Sequence, residues 1–450
     1  MTPTKLARLP ILLAALAACA GARADYTSPD GNFRLSGFGT LGYSRSTSDD
    51  ALFNYPGQGG GSTRSGSFDP DSKFAMQGSY KFTPTVSATA QLMTKYDAAG
   101  QYVPSMEWAF AKWQATPTLS VRAGRIGAPF FMISDFRDVG YANTTVRPPL
   151  DVYGQVPVSQ FEGADASYQL HLGSASVTTT LWTGNSEADF ASSLTRDPST
   201  VKLKRQVGLN VLTELSNGLS LRLGRSQGKL SVTSQLGEQL TAGATNATLL
   251  AGLAGYGATS NPGAAGAAAA GGQLAAVVDL LNPNGVDASF TGIGLGYDQD
   301  NWVAGLEYTK RKTKSYIPDT TGWYGFVGYR VGSFTPYVGA SQLKVDRSTS
   351  NPVSAIATAS SSLNTSVNTI AAGTNILLGT QKLAQRTSTL GVRWDASPST
   401  ALKFQYDRIA KPADSNGLLL VADPTQASAA AYAAAKKTIS VLTLSVDFVF

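Results

Sequence analysis

Two heptapeptides, "LSVRAGR" at 119–125 and "LSLRLGR" at 219–225, set an arginine among apolar residues at alternate positions. In an extended chain successive side chains point to opposite faces. Leu119, Val121 and Ala123 then share one face, and Ser120, Arg122 and Gly124 the other. In the second copy Leu219, Leu221 and Leu223 oppose Ser220, Arg222 and Gly224. A sheet buried on both faces does not spend one of them on a guanidinium, whereas a wall facing water accepts it. The chemistry on offer is fixed charge along a wet surface, which biases the ions that pass. Seven residues do not establish a duplication; shared constraints on the two strands suffice.

The chain offers little for covalent chemistry. It has one His and one Cys in 450 residues. His171 falls in an expected turn, so Ser–His catalysis is not indicated, and no His/Cys cluster exists to hold a metal. No cofactor is expected. Carboxylate pairs on neighbouring strands keep a hydrolase open as an alternative, because strand register is not known from sequence.

The elements that position these charges have a period of two. "GNFRLSGFGTLGYSRS" (31–46) aligns Phe33, Leu35, Leu41 and Tyr43; "KFAMQGSYKF" (73–82) aligns Phe74, Met76, Tyr80 and Phe82; "TVSATAQLMTKY" (85–96) aligns Val86, Ala88, Ala90, Leu92 and Tyr96. The final "VLTLSVDFVF" (441–450) aligns Leu442, Leu444, Val446, Phe448 and Phe450 against a mostly polar face. This alternation predicts strands with one apolar side. Seven short turns, at 83–85, 116–118, 171–173, 216–218, 298–301, 332–335 and 397–399, alternate with eight longer segments: 47–72, 97–104, 127–160, 185–201, 229–285, 313–320, 347–385 and 410–437. Sixteen strands result. Strands that run up and down place all short turns at one end and all long loops at the other, the pattern of a membrane β-barrel. A strand of about 9–11 residues suffices to cross when tilted, and closure pairs the backbone groups that lipid leaves unsolvated. A soluble sandwich, solenoid or propeller predicts two buried faces or a fixed repeat, and neither is visible. The Ala/Gly tract at 262–278 reads as a flexible or partly helical loop.

The first 24 residues read as a cleaved secretory signal: Lys5 and Arg8, the apolar run "LPILLAALAACA", then Ala22-Arg23-Ala24. Leu16-Ala17-Ala18-Cys19 also matches a bacterial lipobox; the cut after Ala24 is favoured, since the closing strand already provides membrane anchorage. Removing the segment's three basic residues takes Lys+Arg from 36 to 33 against 30 acidic residues, so the remaining chain is nearly neutral. Nucleic-acid binding is not expected, and no disulfide is possible in residues 25–450.

Signal peptide, sixteen alternating strands and a terminal Phe together resemble a Gram-negative outer-membrane porin of the general trimeric type, including those of β-proteobacteria. The resemblance implies an all-β, sixteen-stranded antiparallel transmembrane barrel over 25–450. It also implies a homotrimer in outer-membrane lipid, and a Phe450 read by the barrel-assembly machinery. It further implies that the long segment after the fifth strand, 127–160, folds into the lumen as a constriction loop. That segment is rich in aromatics and carries Asp135, Asp138 and Asp151 with Arg137 and Arg147, but it lacks the family's Pro-Glu-Phe-Gly-Gly motif. Alternation assigns Arg34, Arg122, Lys202, Lys204, Arg222, Arg311, Arg393 and Lys403 to the lumen, facing Glu107, Glu162, Glu307, Asp407 and Asp447. The expected function is passive diffusion of small hydrophilic solutes and ions with a weak anion preference. The alternatives are a substrate-specific channel, an adhesin or receptor using the loops at 229–285 and 347–385, and a barrel hydrolase.

Overall fold

The computed structural model describes residues 25–191, 198–256, 262–281, 283–354, 358, 360–423 and 427–450. The expected signal segment and its Cys19 lie outside them.

Sixteen long strands close one antiparallel sheet, and the two-residue strand Tyr26–Thr27 pairs with the first of them. The long strands are β1 Phe33–Ser46, β2 Lys73–Lys81, β3 Val86–Lys95, β4 Ser105–Gln114, β5 Leu119–Gly127, β6 Gln160–Leu172, β7 Ala175–Ala191 and β8 Pro198–Leu215. They continue with β9 Leu219–Thr233, β10 Val286–Gln299, β11 Trp302–Thr313, β12 Asp319–Tyr329, β13 Phe334–Arg347, β14 Gln385–Ser397, β15 Thr400–Lys411 and β16 Lys437–Val449. Each pairs with its sequence neighbours, and β16 closes the cylinder on β1 with Val441 opposite Ser46 and Val449 opposite Phe38. Closure removes the open edges that a lipid-facing sheet cannot tolerate.

The closing strand behaves as its pattern demands. Leu442 and Leu444 face outward and are exposed, whereas Thr443, Ser445 and Asp447 face inward and are buried. Phe450 extends the pairing: its N–H donates to the Gly37 carbonyl at 2.9 Å and its carbonyl accepts from the Gly37 N–H at 2.7 Å. The Phe450 ring stacks near Phe74 (5.8 Å, 18°) and lies over Gly37, where any Cβ would collide with it. Around the cylinder the outward face repeats this apolar character, with Leu92, Leu181, Leu209, Leu221, Ile293, Leu306, Val338 and Leu390 all exposed. Trp113, Trp302, Phe334 and Trp394 are exposed towards the short-turn end, as an interface girdle requires.

Two departures from a plain cylinder matter for the site. First, β7, β8 and β9 contain 17, 18 and 15 residues, more than the roughly 9–11 needed to cross a bilayer. Their long-loop ends therefore rise beyond it. Second, the long loops are partly helical: α1 is the single turn Leu150–Tyr153, α2 Gln235–Tyr256, α3 Pro262–Leu281, α4 Ser361–Gly379 and α5 Ala427–Ala434. The Ala/Gly tract is helical in α3 because Ala267, Ala270, Leu274 and Val277 bury one stripe against Ala244, Ala247 and Ala251 of α2. Small side chains let the helices approach closely. Leu363, Val367 and Ile370 of α4 complete the cluster.

Candidate functional site

The segment 128–159, between β5 and β6, folds into the barrel and is held on two walls. One attachment is apolar. Phe130, Phe131, Val152, Tyr153, Val156 and Val158 pack with inward-facing Ile126, Phe161, Trp182, Phe290 and Tyr324. Phe130 meets Trp182 edge-on at 5.6 Å, and Phe131 stacks on Tyr153 at 4.4 Å. Aromatic residues in a connecting loop are explained by this burial. Glu307 accepts from the Met132 N–H at 2.8 Å and the Tyr153 hydroxyl at 3.1 Å.

The second attachment is ionic and lies along the β1–β16 seam. Arg147, only 3% exposed, donates to Asp71 through Nε (2.8 Å) and Nη2 (2.7 Å), to Asp407 through Nη1 (2.9 Å) and to Thr443 at 2.6 Å. Its guanidinium also covers the Phe53 ring at 4.7 Å. Lys403 pairs with Asp447 at 3.0 Å and donates to the carbonyls of Gly140 and Thr145 at 2.7 and 3.1 Å. Gly140 passes so close to Asp447 and Thr40 that no Cβ could be placed there. Arg393 donates to the carbonyls of Tyr141 (2.6 Å) and Asn143 (3.0 Å), and the Val146 N–H donates to Gln405 at 2.9 Å. A buried arginine shared by two carboxylates satisfies the condition under which buried charge is tolerated.

Asp151 of α1 turns into the wall, where its Oδ2 accepts from Ser341 (2.7 Å) and Thr387 (2.9 Å) while Oδ1 has no partner. Burial pushes this carboxyl up to about 6, although the Ser341 and Thr387 bonds pull it down. An unfolded Asp titrates near about 3.9. Raising the pH from roughly 4 to 6 thus ionises the unfolded chain first and weakens the folded state across that window. Asp151→Asn is expected to stabilise the protein relative to wild type more at pH 7 than at pH 4, as read from thermal unfolding in detergent. An equal difference at both pH values would show that folding does not shift the Asp151 carboxyl.

Beside the loop lies a cavity of about 520 Å³ whose lining includes Tyr55, Lys73, Lys95, Glu107, Arg137 and Asp138. Lys95 bridges Glu107 at 3.2 Å and Asp138 at 3.5 Å; Lys73 meets Asp138 at 3.2 Å and Arg137 meets it at 3.6 Å. Burial alone would raise Asp138, but Lys95, Lys73 and Arg137 hold it well below the usual carboxylate range. The cluster is therefore charged on both sides at neutral pH. On the adjoining wall Arg122 forms a forked pair with Asp165 (3.0 Å from Nε to Oδ1, 2.5 Å from Nη2 to Oδ2) and rests over Phe110 at 5.3 Å.

The residues expected in the lumen thus divide into groups. Arg122, Glu107 and Asp138 lie in or beside the open part. Arg393, Lys403, Asp407 and Asp447 face inward but anchor the loop. Arg222 faces inward at 2% exposure, covered by the loop: Nη2 donates to the Pro129 carbonyl and Nη1 has no partner. Arg34 has inward parity at the short-turn end, ion-paired with Asp25. Asp135 is exposed on the loop and Asp151 is buried in the wall.

Three assignments are corrected. Glu162 faces outward and pairs with Arg125 at 2.5 Å; the inward acid of β6 is Asp165, in phase with fully buried Phe161. Lys202 and Lys204 also face outward, Lys202 pairing with Glu187 at 3.1 Å. Register shifts between Lys204 and Val207, and Arg205 takes a positive φ of 50°. This β-bulge reverses the parity beyond it. There Val201 and Leu203 point inward, beneath the helical loops, and the lysines point out. The shared cause is that the interior here is apolar, with the inserted loop against Phe161 and an apolar-lined cavity beside Val201 and Leu203, so apolar-out no longer holds. Lys73, Lys95 and Asp71 were not among the expected residues. Lys73 and Lys95 were legible, since they alternate with Phe74 and Tyr96.

No family model and no curated protein matches the chain. Among solved structures, OmpF of Salmonella typhi, in a complex with daunomycin, superposes with a TM-score of 0.52 at 11% identity, over 95% of this chain and 100% of that one. The outer-membrane channel DcaP of Acinetobacter baumannii gives 0.52 at 8% identity, over 95% and 100%. The fold is that of the sixteen-stranded porin barrel.

Proposed function

We propose that this chain is a Gram-negative outer-membrane porin, a channel for passive diffusion of small hydrophilic solutes and ions, exported through a signal peptide ending at Ala24 and working as a homotrimer. The observation that carries this reading is a closed cylinder, apolar outside, whose interior holds an inserted loop and a cluster of fixed charges beside an open cavity. Acting as a channel rather than an enzyme fits the placement of the only histidine, His171, exposed beside the turn between β6 and β7. Phe450, seated between Phe74 and Phe448, is positioned to serve the assembly machinery.

A weak anion preference is proposed as well, and the cavity lining does not carry it, since Lys73, Lys95 and Arg137 stand there against Asp97, Glu107, Asp138, Glu187 and Asp189. Single-channel recording in planar bilayers under a salt gradient tests both parts: stepwise conductance for the channel, and the sign of the zero-current potential for the preference. Arg122→Ala is expected to move that potential several millivolts towards cations, because Asp165 then loses its partner. A strong cation preference in the wild type would refute the anion reading and leave the channel reading intact.

A further inference from the structure

We infer that the lumen's long-loop end holds a binding site for a small organic anion carrying one carboxylate on an apolar body. A cavity of about 260 Å³ lies there, enclosed by the upper wall of β7–β11, the inserted loop and the loops beyond α4 and β15. Val201, Leu230, Phe290, Ile317, Leu383 and Leu418 make up much of its lining. Such a surface gains nothing from a hydrated ion or a sugar, and gains from an apolar body.

The cavity also holds one fixed charge. Arg311 of β11 is the single charged side chain among the described residues that line it. Its Nη1 donates to the Gln155 carbonyl at 2.6 Å, its Nη2 to the Pro318 carbonyl at 3.1 Å, and its Nε has no partner. Two carbonyls fix the guanidinium without neutralising it. The nearby Asp319 is engaged by Arg347 at 3.2 Å and by the Thr313 N–H at 2.9 Å. A guanidinium without an ion-pair partner beside apolar walls attracts an anion more strongly than it would in water, and its planar fork suits a carboxylate. Gln206 and Gln381 supply neutral polar groups at the cavity wall.

This inference rests on the porin reading and names a class of solute that the pore would gather at its long-loop end. The test is calorimetry on the full chain in detergent, with benzoate, the uncharged benzamide and the cationic benzylamine as probes, alongside KCl conductance in planar bilayers. Benzoate is expected to bind at least about tenfold more tightly than benzamide, as a charge-assisted bond implies, with benzylamine weakest. Arg311→Gln is expected to erase the difference between benzoate and benzamide. Leu383→Asn, on a loop and outside the Arg311 contacts, is expected to weaken both. Equal binding of benzoate and benzamide to the wild type overturns the site whether or not Arg311→Gln folds. Benzoate failing to bind a protein that conducts KCl also overturns it and leaves the porin reading standing. Benzoate binding to a protein that does not conduct supports the site and refutes the porin reading.

Discussion

Arg147→Ala is expected to release the inserted loop from the seam, raising single-channel conductance and current noise and lowering the melting temperature. The guanidinium is 3% exposed and holds Asp71, Asp407 and Thr443 together. Its removal leaves two buried carboxylates without their counter-ion, which costs on the order of 3–5 kcal/mol. The system can relieve that cost by letting water in, and water enters only if the loop moves. Lys403 and Gln405 still hold the neighbouring stretch, so the loop should loosen rather than leave. Arg147→Lys keeps the charge but cannot bond both carboxylates in a fork, and should fall between alanine and wild type. An alanine variant with wild-type conductance and melting would show that the apolar attachment alone seats the loop.

Leu444→Arg should block insertion. Leu444 is 51% exposed on the outer face of β16, midway along the strand. A charged residue facing the hydrocarbon midplane costs about 2–4 kcal/mol in a barrel. The matching control is Ser167→Arg, which places the same charge on the inward face, where Ser167 meets Thr180 at 2.8 Å. Folding into lipid vesicles, followed by the loss of protease sensitivity, is expected to fail or slow for Leu444→Arg and to proceed for Ser167→Arg. If both variants insert equally well, the outer face is not in contact with lipid.

Most of the architecture was legible because one period governs it. Alternation located the strands, turn and loop lengths gave their number and direction, and the aromatic content of 127–160 marked it for burial. What alternation could not reveal is where its own premise changes. It assumes a polar, wet interior from end to end, yet beside β6–β9 the interior is apolar: Phe130 and Val156 pack with Phe161, and Val201 and Leu203 line an apolar cavity. Glu162, Lys202 and Lys204 were misplaced there, and Asp151, expected to line the constriction, turns into the wall instead. The bulge at Arg205 adds one residue that no composition signal announces. The helices α2 and α4 were hidden for a different reason: Thr, Ser, Asn and Gly, which are weak helix formers, interrupt them, and their mutual packing fixes the conformation.

The seam bonds of the inserted loop carry a consequence for how the molecule is put together. Arg147 and Gly140 come from the first third of the chain, yet the groups around them, Asp71, Asp407, Thr443 and Asp447, come from segments near both ends and meet only once β16 has zipped onto β1. The loop is therefore a latch that can drop only behind a shut door. A half-finished barrel leaves the stretch from Arg137 to Arg147 unlatched and open to proteolysis, so resistance to cutting there timestamps the last stage of assembly.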